Sequence, residues 1–302
     1  MLNILSTVLP VFVVLLAGWI LKGIRLIDED FINTSNKVIF YFFLPVLLFY
    51  KISSSHWADV FYLPNIILMY IAVIIVILLS YSVARWQSLK PGEKSTFVMT
   101  SFRGNVAYIG LPVCYYAWGD TALALASIYM AFYTPLVNIL SVLVMKGQKA
   151  DSALFVREVF LNPLILSAVL GIMFSFLNIK LPLFIKNSLD IMSGVTMPLS
   201  LIAIGATMDF RRLLGNRAVL FLSSMIKLLV MPFLVFGYFM LSRGGLVLAD
   251  KVLVIFLACP TAVVTYIVAA GMEGDEDLAS GAIIISTVLS FFAFIMWFNI
   301  LQ

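Results

Sequence analysis

The stretch Ser101-Phe102-Arg103-Gly104-Asn105-Val106-Ala107-Tyr108-Ile109-Gly110-Leu111-Pro112 decides how this chain is read. It lies inside a segment, residues 95–118, that is otherwise apolar enough to cross a bilayer. Within it stand a cation, two glycines, an asparagine and a proline. Gly104 and Gly110 loosen a helix, and Pro112 removes an N–H and crowds the preceding turn. In hydrocarbon, backbone released this way must bind protein, water or a ligand, because lipid offers no partner. Interrupted membrane helices with polar side chains at the break are how transporters build sites near the midplane. A packing kink is the plainer reading of one such stretch. A second break further along the chain argues for a site.

The composition sets the class. Of the 302 residues, 63% are hydrophobic and only 11% charged, against about 25% charged in a soluble domain. The apolar material falls into ten stretches near the roughly 20 residues a spanning helix needs. They are residues 4–21, 31–52, 63–86, 95–118, 121–145, 159–178, 187–208, 217–242, 250–271 and 278–301. No soluble domain fits between them. Leu2–Leu21 lacks a basic segment before it and reads as a retained span, not a cleaved signal. The net charge of +4 comes from basic loops without interleaved aromatics, so no nucleic-acid partner is expected. Cys114 and Cys259 lie in spans without a CxxC pairing and read as inert core.

The centre of the chain is a symmetry point. Pro10, Gly18 and Pro45 recur as Pro163, Gly171 and Pro198, each 153 positions later (198 − 45). Gly119-Asp120 recurs as Gly274-Asp275, 155 later, a register that places Asn105 opposite Pro260. Residues 1–145 and 159–302 thus read as two five-helix repeats joined by a short cytoplasmic linker, 146–158. Five is odd, so the repeats are inverted in the membrane. Loops after odd-numbered spans carry Lys22, Arg25, Lys37, Arg85, Lys90, Lys94, Lys146, Lys149, Arg157, Arg211, Arg212 and Arg217. The opposite loops carry Lys51, Lys180, Lys186, Arg243 and Lys251. This asymmetry puts the odd loops in the cytoplasm and both termini outside. The acidic loop with Glu273, Asp275, Glu276 and Asp277 falls on the basic side, but acidic residues weigh little in that rule.

The second break is Ala258-Cys259-Pro260-Thr261-Ala262-Val263-Val264-Thr265 in the ninth span. Thr261 and Thr265 are four apart, so their hydroxyls share a face; each can also satisfy a carbonyl of its own helix. Two cations lie inside apolar spans, Arg103 and Lys227. Each costs about 2.5–3.5 kcal/mol at a helix centre on insertion scales. Lys227 lies deep and reads as functional or as a structural hydrogen-bond donor. Arg103 is nearer the entry of its span, and snorkelling and function are both open. No Asp or Glu falls at the centre of any span, which removes the residue of a midplane sodium or proton relay. Buried cations and half-helix N-termini favour an anionic substrate. The single His56 stands in a loop beside Trp57, and no paired intramembrane aspartates occur. No enzyme, catalytic residue, metal site or cofactor is therefore expected.

Asn105-x4-Gly110-x-Pro112 resembles the fourth-helix motif of the auxin efflux carrier family, which includes plant PIN-type carriers and bacterial malate and malonate permeases. The likeness runs through most of the chain. Phe43-Leu44-Pro45-Val46-Leu47-Leu48-Phe49-Tyr50-Lys51-Ile52-Ser53 resembles the second helix, Asn162-Pro163 the sixth, and Lys227-x4-Pro232 the eighth. Pro260 stands where the family has the proline of its second crossover. The resemblance implies a fold related to bile-acid symporters and sodium/proton antiporters. In it, helices 1, 2, 6 and 7 form a scaffold that dimerises, and helices 3–5 and 8–10 form a moving transport unit. Plant members have proline where this chain has Gly104, and their long central loop is reduced here to Lys146–Glu158.

The expected protein is an all-α integral membrane protein of ten transmembrane helices in two inverted repeats, with broken, crossing helices 4 and 9. Its expected function is secondary transport of a small organic anion, a mono- or dicarboxylate or auxin-like acid, across the cell membrane by elevator-like alternating access. The expected substrate-binding residues are Asn105, Tyr108, Gly110, Pro112, Pro260, Thr261, Thr265, Lys227 and Arg103. The expected partners are the anion, the lipid bilayer and a second copy of the chain through helices 2 and 7. A non-transporting sensor or channel on the same scaffold is the alternative; a channel needs a continuous polar pore, whereas the polar residues here cluster at two breaks.

Overall fold

A computed structural model describes residues 2–146, 161–208 and 217–302. Most of the linker 146–158, with Lys149 and Arg157, and the basic pair Arg211 and Arg212 lie outside the described residues. The described chain is helical. We number α1 (Leu2–Gly23), α2 (Glu29–Ser53), α3 (Leu63–Trp86), α4 (Pro91–Phe102), α5 (Leu111–Lys146), α6 (Pro163–Phe176) and α7 (Leu183–Thr207). α8 joins Arg217–Met225 and Met231–Arg243, and α9 (Leu248–Leu257), α10 (Val264–Gly271) and α11 (Glu276–Ile300) follow.

Seven helical stretches among the described residues are long and apolar enough to cross a membrane, against ten expected. The difference has local causes. The expected span 95–118 stops at Phe102, and its second part leads across a kink straight into the expected span 121–145 with no loop between them. Gly119, with φ 76° and ψ −157°, kinks this stretch and separates it into two helical parts; only glycine takes such a conformation without strain. The span 250–271 divides into α9 and α10, and α6 is only 14 residues long.

The apolar residues face both ways, as membrane helices require. On α1, Val8, Val11 and Leu15 are buried while Leu9, Val13, Leu16 and Ile20 are exposed. Helix starts are fixed by short polar side chains. Asp28, Asn162 and Asp275 each accept a backbone N–H from the first turn of α2, α6 and α11. Glu93 and Asp250, third residues of α4 and α9, each accept the N–H of the residue before the helix. Three π turns, Ile39–Phe43, Val106–Gly110 and Ile226–Val230, end two residues before Pro45, Pro112 and Pro232. A widened turn moves the preceding carbonyl away from the proline ring, which cannot accept a normal helical neighbour.

Two compact units result, and each draws on both halves of the chain. The first comprises residues 1–63, 107–132 and 159–208; the second comprises 64–106, 133–158 and 209–302. Residues 107–132, expected with the moving group, fall with α1, α2, α6 and α7.

In the first unit, glycines let backbones touch. A Cβ on Gly18 would overlap the Ile202 carbonyl, and one on Gly205 the Leu15 carbonyl, so α1 and α7 pack without side chains between them. Gly171 on α6 does the same more loosely, its Cβ position lying 3.2 Å from the Phe49 carbonyl of α2. Ile202 and Phe49 are 153 positions apart, as are Gly171 and Gly18. The Thr196 hydroxyl donates to Phe43 O at 3.2 Å, again across 153 positions.

In the second unit, α11 packs against α8 with Gly281 under Leu220. Its Trp297 indole donates to Leu228 O at 2.9 Å. That carbonyl is the one Pro232, four residues on, cannot serve.

Candidate functional site

Both expected breaks exist, and they meet within the second unit. After α4, Arg103 takes extended angles of φ −80° and ψ 99°. After α9, the chain is non-helical through Cys259–Ala262. Gly104 and Thr261 face each other in an antiparallel bridge. Asn105 N–H donates to Pro260 O at 2.7 Å, and Ala262 N–H donates to Arg103 O at 3.0 Å. Each break thus satisfies backbone freed by the other, as a lipid-excluded core demands. Pro260 suits its place because the bridge uses its carbonyl and needs no N–H from it.

Asn105 and Pro260, which the 155-position spacing sets opposite each other, are hydrogen-bond partners. Gly104 and Thr261 stand 157 positions apart, as do Glu93 and Asp250, the third residues of α4 and α9 (250 − 93).

Side chains bind the remaining polar backbone. The Tyr133 hydroxyl donates to Phe102 O at 2.5 Å and accepts from Gly104 N at 2.9 Å, spanning the first break. Thr261 does not turn back on its own helix; its hydroxyl donates to Thr100 O at 2.9 Å. Its N–H donates to Ser286 Oγ at 3.0 Å. Tyr133, Thr100 and Ser286 were not singled out from the sequence. The only mark on Tyr133 was a phenol inside an apolar span, which needs a partner once buried.

Both intramembrane cations turn inward. Arg103 is buried; its Nη1 donates to Ser141 Oγ at 2.7 Å and its Nη2 to Asn138 Oδ1 at 2.6 Å, both on α5. It does not snorkel. Lys227, wholly buried, is carried on the π turn Ile226–Val230 and donates to Leu257 O at 2.5 Å, the last residue of α9. A Cβ on Gly104 would lie 2.9 Å from Lys227 Cε and 3.0 Å from Nζ. Asp250 is also wholly buried, and accepts from Asn65 Nδ2 at 2.9 Å.

Two polar side chains at the crossing are uncommitted. Asn105 is 7% exposed, and its carboxamide makes no hydrogen bond among the described residues. The Thr265 hydroxyl, on α10, is buried without a partner. Tyr108, Gly110 and Pro112 are placed differently from expectation. Tyr108 is half-buried inside the π turn Val106–Gly110, Gly110 closes that turn, and Pro112 stands second in α5. The freed backbone lies at Arg103–Asn105 and not at Gly110–Pro112. Among the described residues no group of three or more His, Cys, Asp or Glu side chains is arranged to hold a metal.

Sequence comparison with known proteins covers nearly the whole chain. A family model described as "Membrane transport protein" matches residues 3–298. An uncharacterised transporter of Methanothermobacter thermautotrophicus is 28% identical over 299 residues, 97% of this chain and 96% of the relative. An uncharacterised transporter of Methanocaldococcus jannaschii is 25% identical over 97% of both chains. A Rhizobium meliloti protein named "Putative malonate transporter" is 25% identical over 96% of this chain and 93% of its own length. The chain is an all-α, multi-pass membrane protein, and it belongs to the membrane transport protein family, the auxin efflux carrier family that its motifs resemble.

Proposed function

We propose that this protein is a secondary transporter of a small organic anion, a mono- or dicarboxylate, with the helix crossing as its substrate site. The observation that carries this reading is the Asn105 carboxamide, buried at the crossing yet unused by the fold. A substrate carboxylate that accepts the N–H of this carboxamide gains a charge-assisted hydrogen bond, worth about 1.5–3 kcal/mol. Thr265 offers a second uncommitted group on the segment beyond the other break. The helices that restart at Val106 and Val264 direct N-terminal dipoles toward the break, which favours a carboxylate. Arg103 and Lys227 add positive potential there although each already holds protein oxygens. The relative named for malonate makes a dicarboxylate the first acid to try.

Alternating access follows from ten crossings in two inverted repeats. The 153-position relations among Thr196–Phe43, Gly18–Gly171 and Ile202–Phe49 support that repeat, as does the antiparallel pairing at the crossing. In this reading the two breaks carry the substrate as one body, since both fall in one compact unit. Helices 1, 2, 6 and 7 form the static wall and, through residues 31–52 and 187–208, the contact with a second copy. The loop charges set both termini outside the cell membrane.

The test is uptake of labelled malonate into proteoliposomes, with unlabelled mono- and dicarboxylates as competitors. Saturable uptake that at least one acid class competes supports the reading. No saturable uptake of any acid, or conductance without saturation, refutes it.

A further inference from the structure

Lys227 answers a problem that the break in the ninth span creates. α9 ends inside the protein at Leu257, and the last turn of a helix leaves carbonyls unpaired and concentrates about half a negative charge there. Helix ends at the surface give these carbonyls to water. Here Phe256, Leu257, Ala258 and Cys259 are all wholly buried. The ammonium of Lys227 sits at this end, donating to Leu257 O at 2.5 Å and lying 3.6 Å from Met231 Sδ. These are its hydrogen-bond partners among the described residues, and no carboxylate there pairs with it. A lysine made for a carboxylate would have one; this one has a helix end.

The surrounding sequence is shaped to put the charge there. The π turn Ile226–Val230 carries Lys227, and Trp297 seals the Leu228 carbonyl beside it. Gly104 leaves the space: a Cβ there would press on both Cε and Nζ. The position is thus closed by a glycine of the first break and filled from α8.

We infer that Lys227 is the fixed cation of the crossing, holding the C-terminal end of α9 in the place a soluble monovalent cation would otherwise take. It is a positioning residue, acting on substrate through the geometry of the break. The consequence for coupling rests on the transporter reading above; the cap itself does not. A second monovalent cation at the α9 end would meet an ammonium a few ångströms away, so the crossing needs no sodium ion there to assemble, and transport coupled through that position is expected to draw none.

Three measurements test this on the purified full chain. Wild-type protein in detergent should melt at the same temperature in sodium chloride and in choline chloride of equal ionic strength. A sodium-specific rise in Tm would overturn the inference. Lys227→Ala should lower Tm by roughly 5 °C or more, and n-propylammonium, which replaces the three deleted carbons and the charge, should restore most of that loss. Propanol should not restore it, nor should n-propylammonium stabilise Lys227→Met, whose side chain fills the space without charge. Equal response of both variants to the amine, or none by Lys227→Ala, would show that the lysine serves packing alone and overturn the inference. Finally, wild-type uptake should keep its rate when choline replaces sodium on both sides. A strict sodium requirement refutes the coupling role, whereas failure of any acid to be transported refutes the transporter reading and leaves the two melting tests to decide the cap.

Discussion

Replacing Tyr133 by phenylalanine removes one oxygen atom and leaves two buried backbone groups without partners. The hydroxyl donates to Phe102 O at 2.5 Å and accepts from Gly104 N at 2.9 Å, and Tyr133 is wholly buried. No water replaces it in an apolar interior, so each orphaned group costs about 1–3 kcal/mol. Measured interhelical hydrogen bonds in membranes average only about 0.6 kcal/mol, because the unfolded reference also finds partners. Weighing both, Tyr133→Phe should cost about 2–4 kcal/mol, and Ser286→Ala, which orphans only Thr261 N, about 1 kcal/mol. The assay is reversible unfolding by SDS titration in mixed micelles, comparing both variants with wild type. Because the tyrosine clamps the two sides of the first break, Tyr133→Phe should also weaken substrate binding, whereas Ser286→Ala should do so less. A Tyr133→Phe variant within about 0.5 kcal/mol of wild type would refute the claim that side chains close the break.

Gly205→Ala should destabilise by about 3 kcal/mol, since its Cβ overlaps the Leu15 carbonyl and α1 and α7 must part; SDS titration reads it, and a neutral result would mean the close approach is absent. Trp297→Phe should cost about 1–2 kcal/mol by exposing the Leu228 carbonyl that Pro232 cannot serve, and the double variant with Pro232→Ala should cost less than the sum, because the restored N–H serves the carbonyl. A cysteine in place of Gln302 should react with an impermeant thiol reagent from outside intact cells; labelling only after permeabilisation would reverse the assigned orientation.

The sequence made the breaks visible because proline, glycine and polar side chains in apolar spans are costly and therefore conspicuous. Pro260 and Gly104 mark the two extended segments, and the 155-position spacing sets Asn105 opposite Pro260, its hydrogen-bond partner. What it hid was how the breaks are satisfied. Gly110 and Pro112 look like a break as much as Gly104 does, but a π turn absorbs Pro112 and keeps the helix going. Propensity sees the proline and not the widened turn. Lys227 was legible as a buried charge. That its partner is a helix end and not an anion depends on where α9 stops, a tertiary fact. Tyr133 and Ser286 carry no signal because phenols and hydroxyls in membrane helices are common, and only the geometry of the break gives these two their tasks.

The central claim, that the crossing binds the transported acid through Asn105, is tested most directly by one comparison: labelled-acid uptake by wild type and Asn105→Ala in parallel proteoliposomes, at matched protein content and melting temperature. The account predicts about a ten- to hundredfold loss of apparent affinity, the worth of one hydrogen bond to a charged group. It also predicts no loss of stability, because the Asn105 side chain makes no hydrogen bond among the described residues. Uptake by Asn105→Ala with wild-type affinity and rate would contradict it.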